Sequence, residues 1–149
     1  MKFGNLSDWQ SDTALEMDGV PIDIGAGRSI TVRRAGGSNR AFLVAYSAVV
    51  ASCTPKDDVG AKLLEAMPQL FADHVVLGWQ GIEAEDGTPA PYSKAAFLQL
   101  VSEAPDLWTR IRVQADQRGR FQRENTERDK ATLGKSSRGK RNGGATVHA

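Results

Sequence analysis

Residues 75–105 read V-V-L-G-W-Q-G-I-E-A-E-D-G-T-P-A-P-Y-S-K-A-A-F-L-Q-L-V-S-E-A-P, and they have the grammar of a joint. An apolar run ends in Gly78-Trp79, and a second glycine follows at Gly81. An acidic turn lies at Glu85-Asp86-Gly87, and Pro89 and Pro91 precede a helix start. The pattern predicts a helix that ends near Trp79, a loop closing over its end, and a new helix from Ser93. Gly78 and Gly81 would let the backbone leave the helix through positive φ. Asp86-Gly87 is a turn pair, while Pro89 and Pro91 stiffen the exit and bias Ala90 away from helix.

Upstream of the joint, Val59, Leu63, Met67, Leu70 and Phe71 fall at helical spacing that continues through Val75. Asp57 is the expected cap of that helix, and Pro68 predicts a break or kink near Ala66–Pro68. Ala41–Ala51 is apolar almost all round, which predicts a buried helix at the centre of the core, capped by Ser38 or Asn39. Cys53 follows with no histidine or acid nearby to activate it, so it reads as a small core or loop residue. Further upstream the period changes to two. Val20, Ile22 and Ile24 alternate with polar or proline positions, as do Ile30 and Val32. Gly25-Ala26-Gly27-Arg28 between them makes a hairpin turn, and Pro21 places the first strand at an edge. Residues 1–17 are mixed and polar, an arm whose Trp9 docks on the domain or on another subunit.

Downstream of the joint, Ser93 caps a short helix carrying Phe97, Leu98 and Val101. Ala104-Pro105-Asp106 restarts the chain with proline in a first-turn position. Leu107, Trp108, Ile111, Ala115 and then Phe121 predict one amphipathic helix. Gln122–Lys130 would prolong it through charge pairs such as Glu124 with Arg128. Beyond that, Gly, Ser, Lys and Arg dominate, which predicts disorder. The expected fold is α+β and mainly α-helical: a β-hairpin at 18–34 followed by four to five short helices. It is organised as an arm (1–17), one small domain (18–126) and a basic disordered tail (127–149).

The chain has 149 residues, enough for one compact domain. It has no run approaching the roughly 20 apolar residues of a membrane span, and its single cysteine points to a reducing compartment. Charge is unevenly placed. Residues 110–141 hold eleven Lys/Arg against four Asp/Glu, and the rest holds eight against fourteen. Such a basic end suits an acidic partner, other copies of the chain or nucleic acid. However, no aromatic side chain interleaves it past Phe121, so base stacking is not offered and nucleic acid is disfavoured.

No catalytic constellation emerges. The only histidines, His74 and His148, have no partners at triad or metal-ligand spacing. Glu83, Glu85 and Asp86 lack the calcium-loop grammar. Gly134-Lys135-Ser136 would need a glycine where Asp129 stands to complete a phosphate loop, and Gly25/Gly27 sit in strand-turn-strand context. A non-enzymatic binding protein with no cofactor and no metal is the expectation.

Gly78-Trp79-Gln80-Gly81, the acidic turn at Asp86-Gly87, Pro91-Tyr92-Ser93 and Ala104-Pro105-Asp106-Leu107 together resemble the tail assembly chaperones of long-tailed, siphophage-type phages. The resemblance is strongest from about Ala61 to Phe121, with Gly78, Gly81, Asp86, Gly87, Pro91 and Pro105 as its structural joint. It implies a protein that binds the tape-measure protein and recruits tail-tube subunits in the host cytoplasm, as an oligomer or not, and that is absent from the mature virion. It also implies a frameshift-extended form, for which Gly134-Lys135 or Gly139-Lys140 sits where a slip site would. Side chains flanking the joint are the expected partner contacts: Trp79, Ile82, Tyr92, Phe97, Leu107, Trp108 and Ile111. The competing reading is a structural phage head or tail component that uses its basic end on nucleic acid.

Overall fold

The computed structural model describes Met1 and residues 3–122. They form five α-helices and one three-stranded antiparallel sheet, an α+β and mainly helical fold. Helix α1 spans Thr13–Asp18, strand β1 Val20–Asp23, strand β2 Ser29–Val32, helix α2 Arg40–Ala51 and helix α3 Val59–His74. Strand β3 at Val76–Gln80, helix α4 at Lys94–Glu103 and helix α5 at Pro105–Asp116 follow.

The period-two pattern becomes the hairpin it predicts. Val20 pairs with Val32 and Ile22 with Ile30, and all four are buried. The turn bends through Gly25, Ala26 and Gly27, all at positive φ (83°, 54° and 75°). Asp23 steadies it by accepting from the Gly25 N–H at 2.8 Å. Against these strands pack Leu70 and Phe71 of α3, Phe97 and Val101 of α4, and Ile111 and Ala115 of α5, in one core.

The joint departs from expectation at its start. The helix ends at His74, not near Trp79, and Val76–Gln80 is a third strand paired with β2. The backbone explains the change. The Arg33 N–H takes the Val75 carbonyl at 2.7 Å, which starts a ladder along the open side of β2. β-Branched Val75 and Val76 and aromatic Trp79 suit that pleat. A bulge lets Val32 face Val76 while Thr31 faces Gly78. Gly78 therefore has no left-handed role, and that task falls to Gly81 at φ 78°. A Cβ on Gly81 would lie 2.7 Å from the Gly27 carbonyl oxygen, so the joint can cross the hairpin turn only as glycine.

Three further helical expectations change. Helix α3 runs unbroken over Pro68. The carbonyl robbed of its donor belongs to Leu64, on the exposed half of the helix, where its loss is tolerated. Asp58 caps that helix through the Ala61 N–H, while Asp57 closes the preceding turn on Thr54. Helix α5 stops at Asp116, and Phe121 reaches the core from a separate 3-10 turn at Arg118–Phe121. The larger correction concerns α2, which is not the central buried helix. Only Phe42 is fully buried in it, and from Leu43 to Gln69 the core contacts are partial, through Ala45, Tyr46, Val49 and Met67. The outer halves of α2 and α3 stand out from the core as a helical hairpin. The expected extension over Gln122–Lys130 and the tail from 127 lie outside the described residues, apart from Gln122 itself.

Residues 1–17 hold a 3-10 turn at Ser7–Trp9 and most of α1, which Asp12 caps through the Ala14 and Leu15 N–H groups. Glu16 of α1 is buried and pairs with Arg34 at 2.8 Å, while the Ser38 hydroxyl donates to its other oxygen at 2.9 Å. A Cβ on Gly37 would collide with this carboxylate, so the loop closes around it as glycine. Burial opposes the charge on Glu16. The bonds from Arg34, Ser38 and Ser11 and the Arg34 charge outweigh it and hold the carboxyl below the ordinary glutamate range. A lowered folded-state pKa adds stability above the unfolded value of about 4.3, lost as pH falls through the folded value. Glu16→Gln is expected to cost about 2–3 kcal/mol at neutral pH and to flatten the acid limb of the stability curve below about pH 4.5, read by urea melts across pH.

Candidate docking groove

The joint is closed upon itself. Ile82 and Ala84 carbonyl and amide groups bond across to Ala90 and Thr88, and Asp86 accepts from both the Thr88 N–H (3.0 Å) and hydroxyl (2.6 Å). Those Thr88 bonds hold the Asp86 carboxyl below its usual range. Trp79 donates its indole N–H to the Ala90 carbonyl at 2.8 Å and meets the Tyr92 ring edge-on at 5.1 Å. The Tyr92 hydroxyl donates to the Val76 carbonyl at 3.3 Å, and burial, reinforced by the Asp73 charge, pushes its pKa up. These two aromatic rings fasten the loop to β3.

The seven side chains expected to touch a partner therefore separate by role. Phe97 and Ile111 are fully buried. Trp108 lies edge-on between Phe71 (5.0 Å) and Phe97 (6.3 Å) and is partly buried. Trp79 and Tyr92 are the loop fasteners just described. Ile82 and Leu107 line a shallow cleft of about 260 Å³ together with Ile24 and Leu100. The joint residues Gly78, Gly81, Asp86, Gly87, Pro91 and Pro105 shape backbone. Pro105 opens α5 as its first residue.

A concave surface larger than that cleft lies elsewhere, between α2, α3 and α5. It encloses about 730 Å³, with Phe42, Leu43, Tyr46, Met67, Phe71 and Val113 as apolar lining. Arg112, Asp116 and Gln117 form the polar rim on α5. The floor continues into the core through a chain of rings: Tyr46 to Phe42 at 6.1 Å, Phe42 to Phe71 at 5.8 Å, and Phe71 to Trp108. Val50 lies two turns past Leu43, and Leu64 two turns before Phe71, so each shares a helix face with a groove residue. Both are exposed, as are Leu43 and Val113. Arg112 lies over the Trp108 ring at 5.4 Å, and its buried Nε has no hydrogen-bond acceptor among the described residues.

One signal in the sequence pointed here. Ala41–Cys53 contains no charged residue, and an all-apolar helix is either buried by its own chain or waiting for another one. Its length and alanine content fit a core helix equally well, so the residues alone do not separate the two. Chemically, the groove can bury apolar surface and pair a carboxylate at Arg112.

Phe97→Ala and Ile111→Ala are expected to cost about 2–5 kcal/mol each in chemical denaturation. Leu43→Ser and Val113→Ser should stay within about 0.5 kcal/mol of the parent chain, since their side chains hold nothing in the isolated fold.

The model of a family described as YdaY prophage protein matches residues 38–135, more than half of the chain. The span takes in α2, α3 and α5, the three walls of the groove, and leaves out the β-hairpin and the arm. Neither a curated protein nor a solved structure matches the chain.

Proposed function

The chain belongs to the YdaY prophage protein family and is phage-derived, and from that premise we propose that it acts as a tail assembly chaperone, binding the tape-measure protein and recruiting tail-tube subunits without catalysing a reaction. One observation carries the binding half of this reading. Helix α2 has no charge from Ala41 to Cys53, yet Leu43, Val44 and Val50 stand exposed on it, and Leu43 lines a groove floored by Phe42 and Phe71. The resemblance around the joint supplies the partners' identity.

The groove suits an amphipathic helix laid lengthwise along α2 and α3. Fully burying an exposed Val or Leu is worth about 1.5–3 kcal/mol. Four or five such side chains leave only a modest surplus once the cost of association is met. A single site is therefore weak, and a long helical partner that seats many copies gains by their linkage. That arithmetic fits a protein which coats a tape measure in the host cytoplasm and is shed before the virion is complete. Tail-tube subunits would be met by a surface other than the groove.

The test is co-expression with fragments of the tape-measure protein encoded by the same prophage. Leu43→Asp and Leu64→Asp are expected to cut co-purification at least tenfold, while Ala48→Asp, elsewhere around α2, leaves it unchanged. The reverse pattern would place docking outside the groove, and no binding of any tape-measure fragment by the parent chain would end the chaperone reading.

A further inference from the structure

The N-terminal arm presents large apolar side chains that its own domain does not cover. Phe3, Leu6 and Trp9 recur every third residue, and all three are exposed, Trp9 by 67%. The Trp9 N–H bonds to the Leu6 carbonyl at 2.9 Å, and a 3-10 turn stacks residues three apart on one side. Leu6 and Trp9 thus share a face.

The base of this arm is pinned. The Asp12 N–H donates to the Phe121 carbonyl at 2.7 Å, and the Gln122 side chain donates to the carbonyls of Asp8 (3.4 Å) and Gln10 (2.9 Å). Trp9 lies between those two anchors with its ring 4.5 Å from the Arg118 guanidinium. These bonds hold Trp9 against Arg118 and outside the groove of its own chain. Seating it in the groove of another chain breaks none.

We propose that, before the phage partner arrives, the arm of one copy occupies the α2–α5 groove of a second copy. Leu6 and Trp9 enter over Phe42, Met67 and Phe71, and Asp8 pairs with Arg112 at the rim. The charges are complementary. Asp8 and Arg112 each have no ion pair among the described residues, and the rim's other charged residue is Asp116. The inference rests on the groove being the docking site, and it adds a regulation of that site. A second copy shields the apolar track until a better-fitting helix displaces the arm. Arm and groove are different surfaces, so the contact is complementary between copies rather than a patch meeting itself.

Light scattering over a concentration series tests it with the full chain, a chain beginning at Ser11, the double variant Phe3→Ser/Trp9→Ser, and Leu43→Asp. The full chain is expected to self-associate and the three variants to remain monomeric. The double variant keeps the backbone anchors of the arm, so it covers a fold disturbed by the deletion. Mixing Leu43→Asp, which has an arm, with the chain beginning at Ser11, which has a groove, should restore a one-to-one complex. The arm-less chain should also bind tape-measure fragments at least threefold tighter than the full chain. A full chain that stays monomeric, arm variants that associate like it, or a mixture that forms no complex would each overturn the arm's role. If the arm-less chain associates no further and binds no tape-measure fragment, the groove reading fails instead, and the arm contact is judged by the mixture alone.

Discussion

Asn39 is the side chain on which the relative placement of sheet, helices and groove depends. Its amide is buried and fully used by three segments. The oxygen caps α2 at the Phe42 N–H, while the nitrogen donates to the Arg34 carbonyl after β2 and to the His74 carbonyl at the end of α3. The cap alone is worth about 1 kcal/mol. Two carbonyls left without a donor would cost about 1–3 kcal/mol each, so the tie between segments outweighs the cap. The strand leading to it is bonded in the same spirit. Arg33, Arg34 and Ala35 give their N–H groups to Val75, Glu16 and Ala115, which belong to the β3 approach, α1 and α5. Arg33, Arg34, Ala35 and Asn39 therefore fix where α2 begins relative to the core.

That placement explains why the groove exists. Helix α2 leaves Asn39 with only Phe42 fully buried in the core, and α3 becomes fully buried only from Leu70 onward. The inner ends of both helices are anchored by the Phe42–Phe71 contact, and the outer ends are held by each other. With α5 fixed alongside through the Ala35–Ala115 bond, a trough is left over the rings of Phe42 and Phe71. The trough follows from where the core ends, and the apolar walls follow from a helix that carries no charge past its first residue, Arg40.

Much of the fold was legible because its signals are local. The hairpin, the Asn39 and Ser93 caps, the proline opening α5 and the glycine-rich crossing at Gly81 are each decided within a few residues. β3 was misread because Val75–Trp79 is an apolar run whose period cannot separate strand from buried helix. What decides it is the open side of β2, more than forty residues earlier in the chain. Of the break or kink expected at Pro68, the break does not occur, for a similar reason: a proline is cheap where the abandoned carbonyl lies on the exposed half of the helix, and exposure is a tertiary fact.

The candidate site was less legible, for a reason that concerns what dense motifs mean. Trp79, Tyr92, Asp86 and the joint glycines crowd together because a loop that crosses a hairpin turn must satisfy many backbone groups in little space. Such a loop spends its polar groups on itself and has few left to offer. The groove shows the opposite economy. Its α2 wall has no acid in the first turn and no base in the last, so past the Asn39 cap and Phe42 the helix dipole is left uncompensated by its own side chains. A wall of that kind is held by its ends and left open along its length. That arrangement suits a surface whose remaining contacts come from another polypeptide.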